Sequence, residues 1–252
     1  MSRTRSSCGR SRGPLAFGLS PLLVMALAAA AGAQTRPPDS TEGNNPVVKV
    51  RRAECGKEPG QLASVVGRAA IAGPSPAGGV ELLLFNGFEA LTTLADDNGS
   101  YCLPLTRSTP GTFVSVFASR AGFLPQVRNL RVEGGHEGHF PQRSVLQVPD
   151  ITLAASPRPG AGSVIGVLYV LSVSGRPEPH EGILAFDSGV PLSIEGPEPA
   201  QLNSGEAGVF SALLSPGRYR ITTGRNIVIP DVQLLPGGTT VQLVFSGERI
   251  NF

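Results

Sequence analysis

A turn, a glycine and an aromatic strand, followed by Pro-Gly-x-aromatic, occur twice along this chain. The first copy reads Asp96-Asp97-Asn98-Gly99-Ser100-Tyr101, then Pro110-Gly111-Thr112-Phe113. The second reads Ser204-Gly205-Glu206-Ala207-Gly208-Val209-Phe210, then Pro216-Gly217-Arg218-Tyr219. Pro110 and Pro216 stand 106 residues apart. Self-similarity at a fixed spacing means that one structural plan is built more than once. The pattern predicts two β modules in tandem. It constrains architecture, not chemistry.

The N-terminus reads as an export signal. Arg3, Arg5, Arg10 and Arg12 form a basic start, Leu22 to Leu27 an apolar stretch, and Ala31-Gly32-Ala33 a small-x-small cleavage site. Residues 1–33 are therefore expected to be removed, leaving a chain that starts at Gln34. Pro21 interrupts the apolar stretch, and the part beyond it is shorter than the roughly 20 residues of a membrane span. No span is expected after cleavage, which places the protein in the periplasm or outside the cell.

Cleavage also changes the charge. The chain holds 21 basic and 19 acidic residues, so loss of four arginines leaves 17 against 19. No basic stripe remains, which argues against nucleic acid as a partner. Lys49 and Lys57 are the only lysines, a bias expected of a GC-rich bacterial genome. Cys8 leaves with the signal; Cys55 and Cys102 remain. Two cysteines in an exported chain most often pair. The alternative is two separate buried thiols.

With 32 Gly and 23 Pro and no apolar 3.6-residue period beyond the signal, long helices are not expected. Residues 34–60 read as a flexible leader, rich in Pro, Ser, Thr and Asn, with a short strand near Val47–Val50. Residues 61–153 form a first sandwich of about seven strands, Asn86-Gly87 and Asn98-Gly99 being hairpin signals. Thr112 to Ala118 puts apolar side chains on both faces, as in a strand covered on both sides. Residues 154–162, rich in Pro and Gly, are the expected linker. Residues 163–252 form a second sandwich, with strands at 164–173, 182–186, 209–214, 218–222, 226–234 and 239–245. The stretch from Leu192 to Leu202 is poorly marked.

Together, Val66-Gly67, Gly79-Val80, Asp97 to Tyr101, Pro110 to Phe113, Ala121-Gly122-Phe123-Leu124-Pro125 and Ile151-Thr152-Leu153 resemble the carboxypeptidase regulatory-like domain. That family has a transthyretin-like, seven-stranded Greek-key sandwich. The second module keeps Gly166, Gly208-Val209-Phe210 and Pro216 to Tyr219 but lacks the Gly-aromatic-x-Pro element. The resemblance implies an all-β chain of two such sandwiches, and an accessory rather than catalytic role.

Candidate chemistry is sparse. His136-Glu137-Gly138-His139 is one residue short of the zincin spacing, and glycines with Pro141 argue against the helix that spacing needs. His180-Glu181 reads as a surface turn. Asp96-Asp97-Asn98-Gly99 has the look of a calcium loop, but the position two before Asp96 is Leu94. The C-terminus lacks the Tyr-Arg-Gly-Ser motif of the hydroxyisourate hydrolases that resemble this fold. Tyr101, Tyr169 and Tyr219 sit mid-strand, unlike the iron-ligating tyrosines of intradiol dioxygenases. No catalytic, metal or cofactor residue is assigned. The expected function is a non-catalytic binding or scaffolding protein acting through protein–protein contacts. A carbohydrate- or cell-surface-binding module is the second reading, weakened by the absence of Trp and an aromatic content of 6%. An enzyme with an unrecognised site is the third.

Overall fold

A computed structural model describes residues 50–73, 78–87, 89–106, 113–132, 144–174 and 183–251. The N-terminal half contains β1 (Val50–Arg52), β2 (Ala63–Ile71), β3 (Glu81–Phe85), β4 (Ala90–Leu94), β5 (Ser100–Leu105), β6 (Phe113–Ser119), β7 (Gln126–Arg131), β8 (Ser144–Gln147) and β9 (Ile151–Leu153). The C-terminal half contains β10 (Gly162–Ser174), β11 (Ile183–Phe186), β12 (Pro191–Glu195), β13 (Ala200–Asn203), β14 (Val209–Leu214), β15 (Gly217–Thr223), β16 (Val228–Leu234) and β17 (Thr239–Asn251). Among the described residues, the one helical turn is a 3-10 turn at Glu206–Gly208.

The strands form four sheets, and the same strand order recurs in each half. In the first, β2 lies between β5 and the β8/β9 pair, facing a sheet ordered β1-β4-β3-β6-β7. In the second, β10 lies between β14 and β17, facing a sheet ordered β13-β12-β15-β16. Each half is thus a β-sandwich, the all-β class expected.

Period-two alternation explains how the sheets stack. On β3, Leu82 and Leu84 point into the first sandwich, while Leu83 and Phe85 point out of it. On β10, Val164 and Leu168 face the second sandwich core, and Ile165, Val167 and Tyr169 face away. The outward sets meet. Leu83, Phe85, Ala90 and Phe117 pack against Ile165, Val167, Tyr169 and Val241 in a third apolar cluster. The Phe85 and Tyr169 ring centroids lie 5.1 Å apart, and those of Phe113 and Phe186 4.9 Å. The result is four layers, in which both central sheets are covered on both faces. Burial of a large apolar side chain is worth about 1.5–3 kcal/mol, so this interface is comparable to a core.

Several boundaries differ from expectation. Residues 50–60 of the expected leader are folded: β1 runs parallel to β4, Val50 opposite Ala90, and Val50 packs on the third cluster. The sequence signal there is weak because one main-chain ladder and one disulfide hold the segment. The poorly marked stretch holds two strands, β12 and β13, which pair through Leu192 and Leu202. With both, the second sandwich holds eight strands among the described residues rather than seven, while β11 falls where a strand was expected and pairs with β10. The expected linker is bonded along its length. Ser156 N–H donates to Gly122 O (2.9 Å), Gly122 N–H to Gly237 O (3.0 Å) and Gly237 N–H to Ala161 O (3.1 Å), stitching the two sandwiches together. The expected signal segment lies outside the described residues.

Candidate functional site

Cys55 and Cys102 form a disulfide with a Cα separation of 5.9 Å. The bond ties the segment after β1 to β5. Arg51 reinforces that attachment by donating to Glu58 (2.6 Å) and Glu89 (3.4 Å). The Glu58 hydrogen bond leads in raising the Arg51 pKa. The pair of cysteines is a structural clasp.

The three tyrosines are core residues. Tyr101, Tyr169 and Tyr219 are 5%, 3% and 3% exposed, which leaves no open iron face. Burial pushes the Tyr169 phenol up to about 12 and raises that of Tyr101 further. Asp96 caps its own turn: its Oδ1 accepts from the N–H groups of Asn98 (2.9 Å) and Ser100 (2.8 Å). Among the described residues, no three His, Cys, Asp or Glu side chains converge on a metal-sized site. His136, His139 and His180 lie outside the described residues.

Two polar clusters escaped sequence reasoning because their members are far apart in the chain. Asp187, 2% exposed, receives Arg225 Nε and Nη2 at 3.1 Å each, and Ser246 Oγ at 2.9 Å. Ser204 Oγ donates to the Asp187 carbonyl at 2.8 Å. This network closes one end of the second sandwich. At the other cluster, Glu198 accepts from Arg158 Nη1 (2.7 Å) and Nη2 (2.9 Å), from Ser215 N–H (2.7 Å) and from Ser215 Oγ (2.8 Å). The Arg158 bonds lead in holding the Glu198 carboxyl at about 2. Arg158 belongs to the inter-sandwich segment, so this cluster anchors the connection. In both, every named charge has a partner within the fold.

The outer face of the fourth sheet is different. Glu195, Arg218, Arg220 and Asp231, with Gly196, Tyr219 and Pro230, line a groove of about 500 Å³. Glu195 and Arg220 are directly opposite across β12 and β15, and Arg218 is two residues back on the same face. Asp231 sits at φ 55°, where the β15–β16 register shifts between Tyr219 and Ile221, and the resulting bulge sets it at the groove. None of the four makes an ion pair with any described residue. The arrangement offers two guanidiniums between two carboxylates and no nucleophile–base pair. Such a set can bind a group of complementary charge.

No family model and no curated protein matches the chain. Similar solved structures include the Bacillus anthracis TIE protein, at 13% identity and a TM-score of 0.26, over 75% of this chain and 33% of that one. Catechol 1,2-dioxygenase from Pseudomonas arvilla C-1 is 13% identical with a TM-score of 0.31, over 44% of this chain and 57% of that one. GBS52, the minor pilin of Streptococcus agalactiae, is 9% identical with a TM-score of 0.25, over 73% and 95%. The chain thus spans a third of the first and little over half of the second. Likenesses this distant carry no statement of activity.

Proposed function

We propose that this is an exported binding or scaffolding protein, without catalytic activity of its own, that meets a protein partner through the groove on the fourth sheet. The observation that carries the reading is the set of four charges, Glu195, Arg218, Arg220 and Asp231, lining one groove with no ion pair to any described residue. Two other carboxylates, Asp187 and Glu198, are paired with arginines within the fold. Charges without such partners are available to pair across an interface, where a complementary partner offsets their desolvation, and arginine is a frequent anchor in interfaces. The Cys55–Cys102 bond suits an oxidising compartment, in keeping with export.

A protein partner is favoured over a carbohydrate by the state of Tyr219. Its ring is buried and its Oη donates to Ser215 O at 2.7 Å, so it gives a sugar no flat stacking platform. We further read the first sandwich as a carboxypeptidase regulatory-like domain. Gly67 and Tyr101, which carry part of that resemblance, face each other across β2 and β5.

The test places a photoreactive amino acid at Arg218 or Arg220 in the producing cell. A discrete cross-linked adduct is expected from both positions and not from Thr152, exposed on the outer face of the first sheet. Absence of an adduct at the groove, or equal labelling at Thr152, removes the reading.

A further inference from the structure

The outer face of the fourth sheet has a counterpart inside the chain. In the first sandwich Leu84 on β3 stands opposite Val116 on β6, and in the second Ile194 on β12 stands opposite Ile221 on β15. All four point into their own cores, so the outward positions beside them correspond. Leu83 opposite Phe117 becomes Ser193 opposite Thr222, and Phe85 opposite Ser115 becomes Glu195 opposite Arg220. In the first sandwich this face is buried under the sheet of β10. In the second, Ser193 and Thr222 are half-buried, and Glu195 and Arg220 are exposed. Permanent interfaces are the more apolar ones. A polar version of the same face suits a contact between separate molecules.

That face is complementary to itself. Glu195 on β12 and Arg220 on β15 stand at one height, with opposite charges. A two-fold axis lying between these two strands, and along them, exchanges their columns. Each Glu195 then meets the partner's Arg220, and each Ser193 meets the partner's Thr222. The four charges at the centre form a ring of alternating sign, so each has an opposite charge on two sides. The strands of the two sheets run in nearly the same line, as in the aligned packing of sheet on sheet. Contacts of this isologous kind are the commonest way for identical chains to associate.

We infer that the fourth sheet packs face to face on the fourth sheet of a second copy of this chain. The partner's Arg220 supplies the ion pair that Glu195 lacks among the described residues. The inference rests on the reading of this face as a protein-binding groove, and it names the protein.

The test is sedimentation equilibrium of the full exported chain. The native protein is expected to dimerise, and the dimer to weaken as salt rises. Glu195→Arg and Arg220→Glu each set like charges against each other across the axis, and each should weaken the dimer about tenfold or more. An equal mixture of the two variants should associate again, as should one chain that carries both changes. A native protein that stays monomeric at low salt overturns the inference. Single variants that dimerise as the native chain does also overturn it, as does a mixture no better associated than its components. Should one variant fail to fold, the other decides: association equal to that of the native chain overturns the inference. The photoreactive residue at Arg218 separates this inference from the groove reading. An adduct of two identical chains supports both, an adduct with a different protein alone overturns the dimer and leaves the groove reading standing, and no adduct removes both.

Discussion

Gly67 stands directly opposite Tyr101 across the β2–β5 pair, and a Cβ added to the glycine would fall 2.6 Å from the tyrosine Oη. The second sandwich repeats the device with Gly166 and Phe210, where the added Cβ would lie 2.3 Å from Cζ. In each case the far end of the ring occupies the space that a side chain on the glycine would take. Gly67→Ala is expected to destabilise the protein by about 1–3 kcal/mol through overpacking. Gly166→Ala should cost at least as much, because its Cβ also meets the Gln242 main-chain oxygen at 2.7 Å and the backbone cannot rotate away. Urea unfolding midpoints at constant slope measure both.

The Cys55–Cys102 bond closes a loop with a sequence separation of 47 residues. In the chain-entropy view its removal costs about 4 kcal/mol. The double variant Cys55→Ala, Cys102→Ala should therefore unfold at lower denaturant and lose protection at β1, which is left with the β4 ladder, the packing of Val50 on the third cluster and the Arg51 ion pairs. Hydrogen exchange at Val50–Arg52 is the local readout. Unchanged exchange there would mean that the ladder alone suffices.

Tyr169 makes ring contacts on both sides, with Phe85 at 5.1 Å and with Phe245 at 5.6 Å. Its replacement by alanine should cost about 3–5 kcal/mol, as for other buried aromatics. The same cluster bears on how independent the sandwiches are. Fragments 46–156 and 160–252 each retain an inner core, and we expect each to fold and the two to associate when mixed. Size-exclusion chromatography of the mixture checks this, and two folded fragments that ignore each other would demote the third cluster to a passive contact.

Glu198 gives the protein a defined acid sensitivity. Its folded pKa, about 2, lies below the ordinary value of 4.5. A depressed carboxyl stabilises the fold fully above the unfolded value and loses that contribution as pH falls through the folded one. The stability difference between the native protein and Glu198→Gln should thus be constant above about pH 4.5 and vanish on the way down to about pH 2. Thermal unfolding of the pair across that range measures it. A difference that persists at low pH would show that the ion pair with Arg158 is not its source.

The repeat of turn, glycine and aromatic was legible because local chemistry dictates it. Asn-Gly turns, a glycine across from an aromatic and alternating apolar residues act over a few residues, and they specified β-sandwich halves and much of the strand list. Apolar residues on both faces of β6 likewise announced a strand covered twice. What covered it was not readable. The meeting of Phe85 with Tyr169, and of Phe113 with Phe186, joins residues more than 70 positions apart in the chain.

The remaining features were decided by tertiary structure for the same reason. Asp187 finds Arg225 and Ser246 at separations of 38 and 59 residues, and Arg158 finds Glu198 at 40. No local pattern marks such partners, since pairing depends on which strand ends the sheets bring together. The groove of Glu195, Arg218, Arg220 and Asp231 exists because three strands and a bulge set the four side chains on one outer face. By itself the sequence determined that this chain makes β-sandwiches and where several of its turns fall, though Asn98-Gly99, expected to close a hairpin, instead joins β4 and β5 in different sheets. The stacking of the four sheets, which sets every charge and aromatic at its final address, came only with the tertiary fold, because it depends on long-range packing of faces rather than on local propensity.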